Sequence, residues 1–175
     1  MIAHRSGGLA KITLGEPDGR ESARVNRLLN AFQHAGIDTL HSPDIRLALW
    51  EKFLGICGNA GVSSLTRLPI GPILACSETR SFYRGTLEEV QSVARAIGVA
   101  LAADCVDRWI TFSEALAPGL RSSMANDLTA GRRLELESLN GAVVRLGAEH
   151  GVPTPYNFAI YAALRPYANG APSLP

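Results

Sequence analysis

Apolar residues change their spacing near residue 42. Before that point, residues 9–14 (Leu-Ala-Lys-Ile-Thr-Leu) read as a strand, closed by the turn Gly15-Glu16-Pro17-Asp18-Gly19. Val25, Leu28, Leu29 and Phe32 then fall at i, i+3, i+4 and i+7, which predicts an amphipathic helix over 21–35. Gly36 supplies its left-handed stop, and residues 37–40 form a second short strand. Two strands around one helix cannot enclose a core, so residues 1–41 read as the tail of a larger α/β domain. A Met1 that opens directly on the edge of such a unit is read as a sign of missing upstream sequence.

From Ser42 onward the pattern is helical throughout. Ser42 is the expected N-cap, with Pro43 in the first turn and Asp44 favourable against the helix dipole. Residues 45–59, IRLALWEKFLGICGN, are apolar nearly all round, as in a helix buried on several sides. Gly55, Gly58 and Gly61 thin one side of it and let a neighbour approach closely. Pro69 and Gly71-Pro72 break the chain before a helix over 77–97, whose stripe is Tyr83, Leu87, Val90, Ala94 and Ile97 and whose stop is Gly98. A helix capped by Asp104 runs to Ala117 and ends at Pro118-Gly119. A short one lies near 122–130, another spans 135–150 up to Gly151, and Thr154-Pro155 opens a last one over 155–164. The predicted architecture is mainly α: a compact helical bundle over 42–168, a β-α-β piece before it over 1–41, and a tail over 169–175.

Composition narrows the function classes. With 46% apolar and 19% charged residues, disorder is excluded and a sizeable core is expected. A net charge of +1 gives no reason to expect nucleic acid or an acidic membrane surface. No apolar run reaches the roughly 18 residues of a membrane span, and the N-terminus lacks the apolar core of a signal peptide. Cys57, Cys76 and Cys105 have no CxxC spacing and no histidine at ligand spacing, so they read as buried free thiols in a reducing cytoplasm, with no metal site.

One stretch does not fit a core. Residues 122–141, SSMANDLTAGRRLELESLNG, set a dense run of polar groups between apolar segments, as the lining of a cleft would. Within 45–59, Lys52 stands out because Ala48, Leu49, Gly55 and Ile56 offer its ammonium no carboxylate. On the residues alone it either snorkels to a surface, the more ordinary outcome, or sits desolvated and ready to give up a proton. Asn59 lies seven residues on, about two turns, and can share its face. Arg132 and Arg133 read as a solvated pair bridging to Glu135 or Glu137. His34 and His150 read as helix C-terminal cations before Gly36 and Gly151.

The pattern Ser123-Met124-x-x-Asp127, eight residues to Glu135, then Asn140-Gly141 and Gly147-x-x-His150-Gly151-Val152-x-Thr154-Pro155, resembles the C-terminal domain of the ketopantoate reductase (2-dehydropantoate 2-reductase) family. Asp44-Ile45 followed by Trp50-x-Lys52 is similar to the same family's D-I-x-x-x-x-W-x-K. The resemblance covers residues 2 to about 168. It implies a helical domain like the C-terminal domain of 6-phosphogluconate dehydrogenase, preceded by a remnant of an α/β dinucleotide-binding domain. It also implies an NADPH-dependent reduction of a small 2-keto acid, ketopantoate to pantoate, in pantothenate biosynthesis. By the same resemblance Lys52 is the proton donor to the ketone, Ser123 hydrogen-bonds the keto acid, and Glu135 reaches the cofactor ribose and the substrate; Asn59, the only amide near Lys52 on its face, is expected from spacing to orient the acid with Ser123. Family asparagines after the lysine, between proline and glycine, and before the serine are here Ile56, Ala60, Ile70 and Leu120, which thins the carboxylate-binding shell. No strand–GxGxxG–helix unit occurs, so the NADPH-binding glycine-rich loop is absent from this chain. The expectation is a cytoplasmic substrate half, inactive alone, that works with an N-terminal nucleotide-binding half or as a homodimer. The rival expectations are a non-catalytic dimerisation or partner-binding module left by truncation or gene splitting, and a self-contained small-molecule binder using an apolar cleft.

Overall fold

The structure is a computed structural model and describes residues 11–172; residues 9 and 10 of the predicted strand and the end of the tail lie outside them. The chain divides into two compact units after Trp50. In the first, β1 (Lys11–Leu14) and β2 (Asp38–His41) pair in parallel, Lys11 opposite Asp38 and Leu14 opposite His41, with α1 (Ala23–His34) as the crossover. Gly36 takes φ +71°, the left-handed stop its position required. His34 Nδ1 lies 2.7 Å from the Asn30 carbonyl, in keeping with a helix-end histidine.

The turn after β1 carries a feature that spacing did not single out. Glu16 is buried, accepts from the Ser22 hydroxyl at 2.5 Å and from Arg24 Nε at 2.6 Å, and also pairs with the second Arg24 nitrogen. Ser22 in turn caps α1 through the Val25 amide at 3.2 Å. One carboxylate therefore fixes both the turn and the helix start. These bonds hold the Glu16 carboxyl well below its ordinary value, at about 2.

The second unit follows from α2 (Ile45–Thr66), which runs on from the first unit. Its cap is Asp44 and not Ser42: the Leu47 amide donates to Asp44 Oδ1 at 2.9 Å. Then come α3 (Ile70–Ala75), α4 (Ser77–Ala96), α5 (Cys105–Glu114), α6 (Ser123–Thr129), α7 (Asn140–Glu149), α8 (Pro155–Leu164) and a 3-10 turn at Arg165–Tyr167. The helix α3 occupies what the prolines suggested was only a break; Pro69 precedes its first turn and Pro72 stands in it, where a missing N–H costs little. The predicted helix over 135–150 is shorter, because residues 135–139 form turns and Leu139 sits at φ −104°, ψ −104° just before α7. Of the three thiols Cys57 and Cys105 are buried, and burial pushes both thiols up; Cys76 is exposed at the head of α4, contrary to the expectation.

Helix α4 is the axis of this unit, packing against α3, α5, α7 and α8. Its stripe of Tyr83, Leu87, Val90 and Ala94 is fully buried. The three glycines of α2 explain how helices close on it. A Cβ at Gly55 would stand 1.8 Å from the Trp109 ring, one at Gly58 2.5 Å from Leu87, and one at Gly61 2.8 Å from the Asn140 amide. The Trp109 indole is held flat against the α2 backbone by its bond to the Tyr83 hydroxyl at 3.0 Å, and Tyr83 is tied to Ser113 at 3.1 Å.

A buried polar chain crosses the same core. Glu89, from α4, accepts the Tyr156 and Asn157 amides at 2.8 and 2.9 Å, so it caps α8 in place of Thr154, whose side chain makes no capping bond. Glu89 also accepts the Asn157 side-chain amide at 2.7 Å; Asn157 Oδ1 then accepts from Asn140 Nδ2 at 2.9 Å, and that same nitrogen reaches the Cys57 carbonyl of α2 at 3.3 Å. Four helices are thereby joined through one carboxylate and two amides.

Two outcomes follow from these carboxylates. Because the folded-state value of Glu16 is depressed, its contribution is full above the ordinary glutamate range, about 4.5, and is lost as pH falls toward about 2. Amide protection factors in α1, taken relative to the intrinsic exchange rate at each pH, should fall across that window in the native chain and show no such step in Glu16→Gln; an identical acid profile in both would contradict the assignment. Glu89→Ala leaves two backbone amides and the Asn157 side chain without their acceptor. It should lower unfolding stability by roughly 2–4 kcal/mol in urea titration, whereas a loss under about 0.5 kcal/mol, the range of an ordinary surface substitution, would show that water replaces the carboxylate without cost.

Candidate functional site

Lys52, Ile56, Asn59 and Ser63 succeed one another at four-, three- and four-residue steps, so they lie along one face of α2. The buried residues Leu54, Gly58, Gly61 and Val62 lie away from it, against the core. At the far end of the face, Ser63 Oγ is 2.7 Å from Ser122 Oγ. That bond brings the head of α6 onto α2.

A serine at a helix start, such as Ser123, is ordinarily its N-cap. Ser122 takes the cap, accepting from the Ala125 amide at 3.1 Å. Ser123 is the first helical residue, is exposed, and has no hydrogen-bond partner among the described residues. Its hydroxyl is free for a ligand. Asn59 is half-buried, and its Oδ1 is closed off from solvent with no partner. A polar atom in that state has lost its water without an exchange.

Lys52 is exposed and has no ion pair or hydrogen bond among the described residues. This chain by itself does not desolvate it, contrary to one of the two expectations for it. Lysine is rare here: the sequence holds only Lys11 and Lys52, and every other strong cation is arginine. The distinction is chemical, since an ammonium can give up its proton near neutral pH and a guanidinium cannot.

Glu135 stands apart from these three. It is exposed in the turn after α6, not at a helix start. Its backbone carbonyl accepts from Ser138 and Leu139, and no hydrogen bond or ion pair among the described residues joins its side chain to Lys52, Asn59 or Ser123. Arg132 does not bridge to Glu135 or Glu137 as expected; it pairs with Asp127 at 2.7 Å. Glu137 is instead bonded by Tyr161 and paired with Arg145 and Arg165. His150 is the C-cap of α7 and is exposed.

Among the described residues, the head of α1 does not fit the diphosphate of a dinucleotide. At the head of α1, where such a group needs free N–H donors, the buried Glu16 carboxylate and the Ser22 cap already stand. Glu135, an unpartnered exposed carboxylate, suits a ribose hydroxyl only. Among the described residues no group of histidine, cysteine and carboxylate side chains could hold a metal ion, and no helix is long and apolar enough to cross a membrane. A groove of about 240 Å³ between α2 and α5 is lined by Leu54, Cys105, Trp109 and Phe112, with Glu51 and Arg108 at its rim; it contains none of the four residues singled out from the sequence.

Comparison with known proteins agrees with the pattern of residues. Residues 44–168 match the family model described as ketopantoate reductase PanE/ApbA C terminal. A 2-dehydropantoate 2-reductase of Mesorhizobium japonicum is 33% identical over 94% of this chain and 49% of its own length. One of Halobacterium salinarum is 31% identical over 89% of this chain and 50% of its own. The crystal structure of a PanE/ApbA family ketopantoate reductase from Ralstonia eutropha superposes with a TM-score of 0.83 at 31% identity, over 94% of this chain and 53% of that one. At 19% identity and a TM-score of 0.82, a D-mandelate dehydrogenase shares the fold. The chain spans about half the length of the curated relatives it matches. With its motif residues, helical architecture and family-model match in agreement, the chain belongs to the ketopantoate reductase family and corresponds to that family's C-terminal domain.

Proposed function

We propose that this chain is the substrate-binding half of an NADPH-dependent 2-keto-acid reductase of the ketopantoate-to-pantoate type. The observation that carries the reading is the unpaired Lys52 on one helix face with the unpartnered Asn59 amide, whose far end is held against the segment bearing the free Ser123 hydroxyl. Reduction of a ketone builds negative charge on its oxygen. An ammonium beside that oxygen stabilises the charge and can deliver the proton that completes the alcohol. The hydroxyl of Ser123 and the amide of Asn59 orient the carboxylate, and Glu135 meets the ribose of the cofactor. NADPH supplies the hydride when a nucleotide-binding half holds it.

The exposure of Lys52 supports the need for a second half. A hydrated ammonium gains little over water as a proton donor, and an arriving domain that covers it raises its worth.

The test has two arms. Calorimetry of the 175-residue chain with NADPH should give no binding at micromolar concentrations; micromolar binding would overturn the half-site reading. With a nucleotide-binding half supplied, Lys52→Ala should lower turnover by about 10²–10⁴-fold while NADPH affinity holds. Ser123→Ala should mainly raise the KM for the keto acid. Full turnover in Lys52→Ala would remove its assigned role.

A further inference from the structure

We propose that Ile56 sets the side-chain preference of the keto-acid site, so that it takes 2-keto acids with a plain hydrocarbon side chain in preference to those bearing a hydroxyl there. The inference rests on the roles proposed above for Lys52 and Ser123. On the shared face of α2, Lys52 and Asn59 stand about 10 Å apart along the axis, the span of a short keto acid with a hydrogen bond at each end. Ile56 lies between them, half-buried. A molecule whose ketone meets Lys52 and whose carboxylate turns toward Asn59 and Ser123 must cross it.

The polar groups of this face are used up by those two ends. Lys52 takes the ketone oxygen; the Ser123 hydroxyl and the Asn59 amide take the carboxylate. What remains for the third substituent of the keto carbon is apolar. Ile56, half-buried, is one surface, and Ala60 one turn on is buried. Once an arriving half covers this face, as the desolvation of Lys52 requires, a hydroxyl laid against these side chains gives up water and finds no donor or acceptor in return. A methyl group there gains from burial.

Two acids that differ by one hydroxyl test this directly: 3,3-dimethyl-2-oxobutanoate and 4-hydroxy-3,3-dimethyl-2-oxobutanoate, which is ketopantoate. Each is titrated into the isotope-labelled 175-residue chain, with a nucleotide-binding half and NADPH supplied to cover the face, while the Ile56 methyl, Ser123 amide and Lys52 side-chain resonances are followed. The acid without the hydroxyl should bind about tenfold more tightly. Ile56→Thr, which keeps the branched shape and adds a hydroxyl, and Ile56→Asn should each bring the two affinities together. Equal binding of the two acids by the native chain, or a preference for ketopantoate, overturns the inference and leaves the keto-acid site standing. A preference that survives unchanged in both variants overturns the role of Ile56. If neither acid moves the Ser123 and Lys52 resonances, the reading of the site itself fails and the inference falls with it.

Discussion

The second unit depends on one buried carboxylate. Glu89 comes from α4, the helix that packs against four others, and ends its reach at the first amides of α8. Left alone in an apolar core, it would be costly to bury. Its two oxygens meet three N–H donors, and the chain goes on through Asn157 and Asn140 to the Cys57 carbonyl. Satisfied polar chains of this kind fix which helices meet and in what register, because each alternative packing strands a donor or acceptor. The amide of Asn140 fits there because Gly61 has no side chain to fill the space.

That chain bears on the candidate site through α2. Cys57, its last acceptor, lies between Ile56 and Gly58 on the helix that carries Lys52 and Asn59. Leu87 and Asn140 therefore close on Gly58 and Gly61, on the side of α2 away from Lys52, Ile56 and Asn59, and Trp109 lies against Gly55 beside that face. Rigid support on the back of a helix is what keeps functional groups on its front in place. The first unit has its own anchor in Glu16, a carboxylate that also occupies the head of α1 and so gives that end of the helix a structural task.

Much of this was legible in the sequence where periodicity is strong. The Tyr83–Ala94 stripe and the glycine row of α2 follow from spacing, since burial of a helix face leaves a 3.6-residue trace, and the helix from Pro155 to Leu164 follows from the proline that opens it. Caps were less legible, because several polar residues stand near each helix start and only geometry chooses among them: Asp44 over Ser42, Ser122 over Ser123, and the distant Glu89 over Thr154. Glu89 in particular left no local trace, being 67 positions from the helix it caps. The misplaced start of α7 has a similar cause: Leu136 and Leu139 are buried from turns and mimic helical spacing. Of the site residues, Lys52, Asn59 and Ser123 come from motif and spacing, while the Ser63–Ser122 bond that brings their two segments together could be found only in the fold.

The central claim is that a keto acid places its ketone at the Lys52 nitrogen, and the two-lysine composition gives that claim its own control. Both lysines are exposed, Lys11 on β1 and Lys52 on α2. A 2-keto acid added with cyanoborohydride condenses with an amine, losing water, and the imine is reduced to a stable secondary amine that mass spectrometry locates. The account predicts an adduct concentrated on Lys52 and reduced to the level of Lys11 in Ser123→Ala. Equal labelling of Lys11 and Lys52 in the native chain would contradict it.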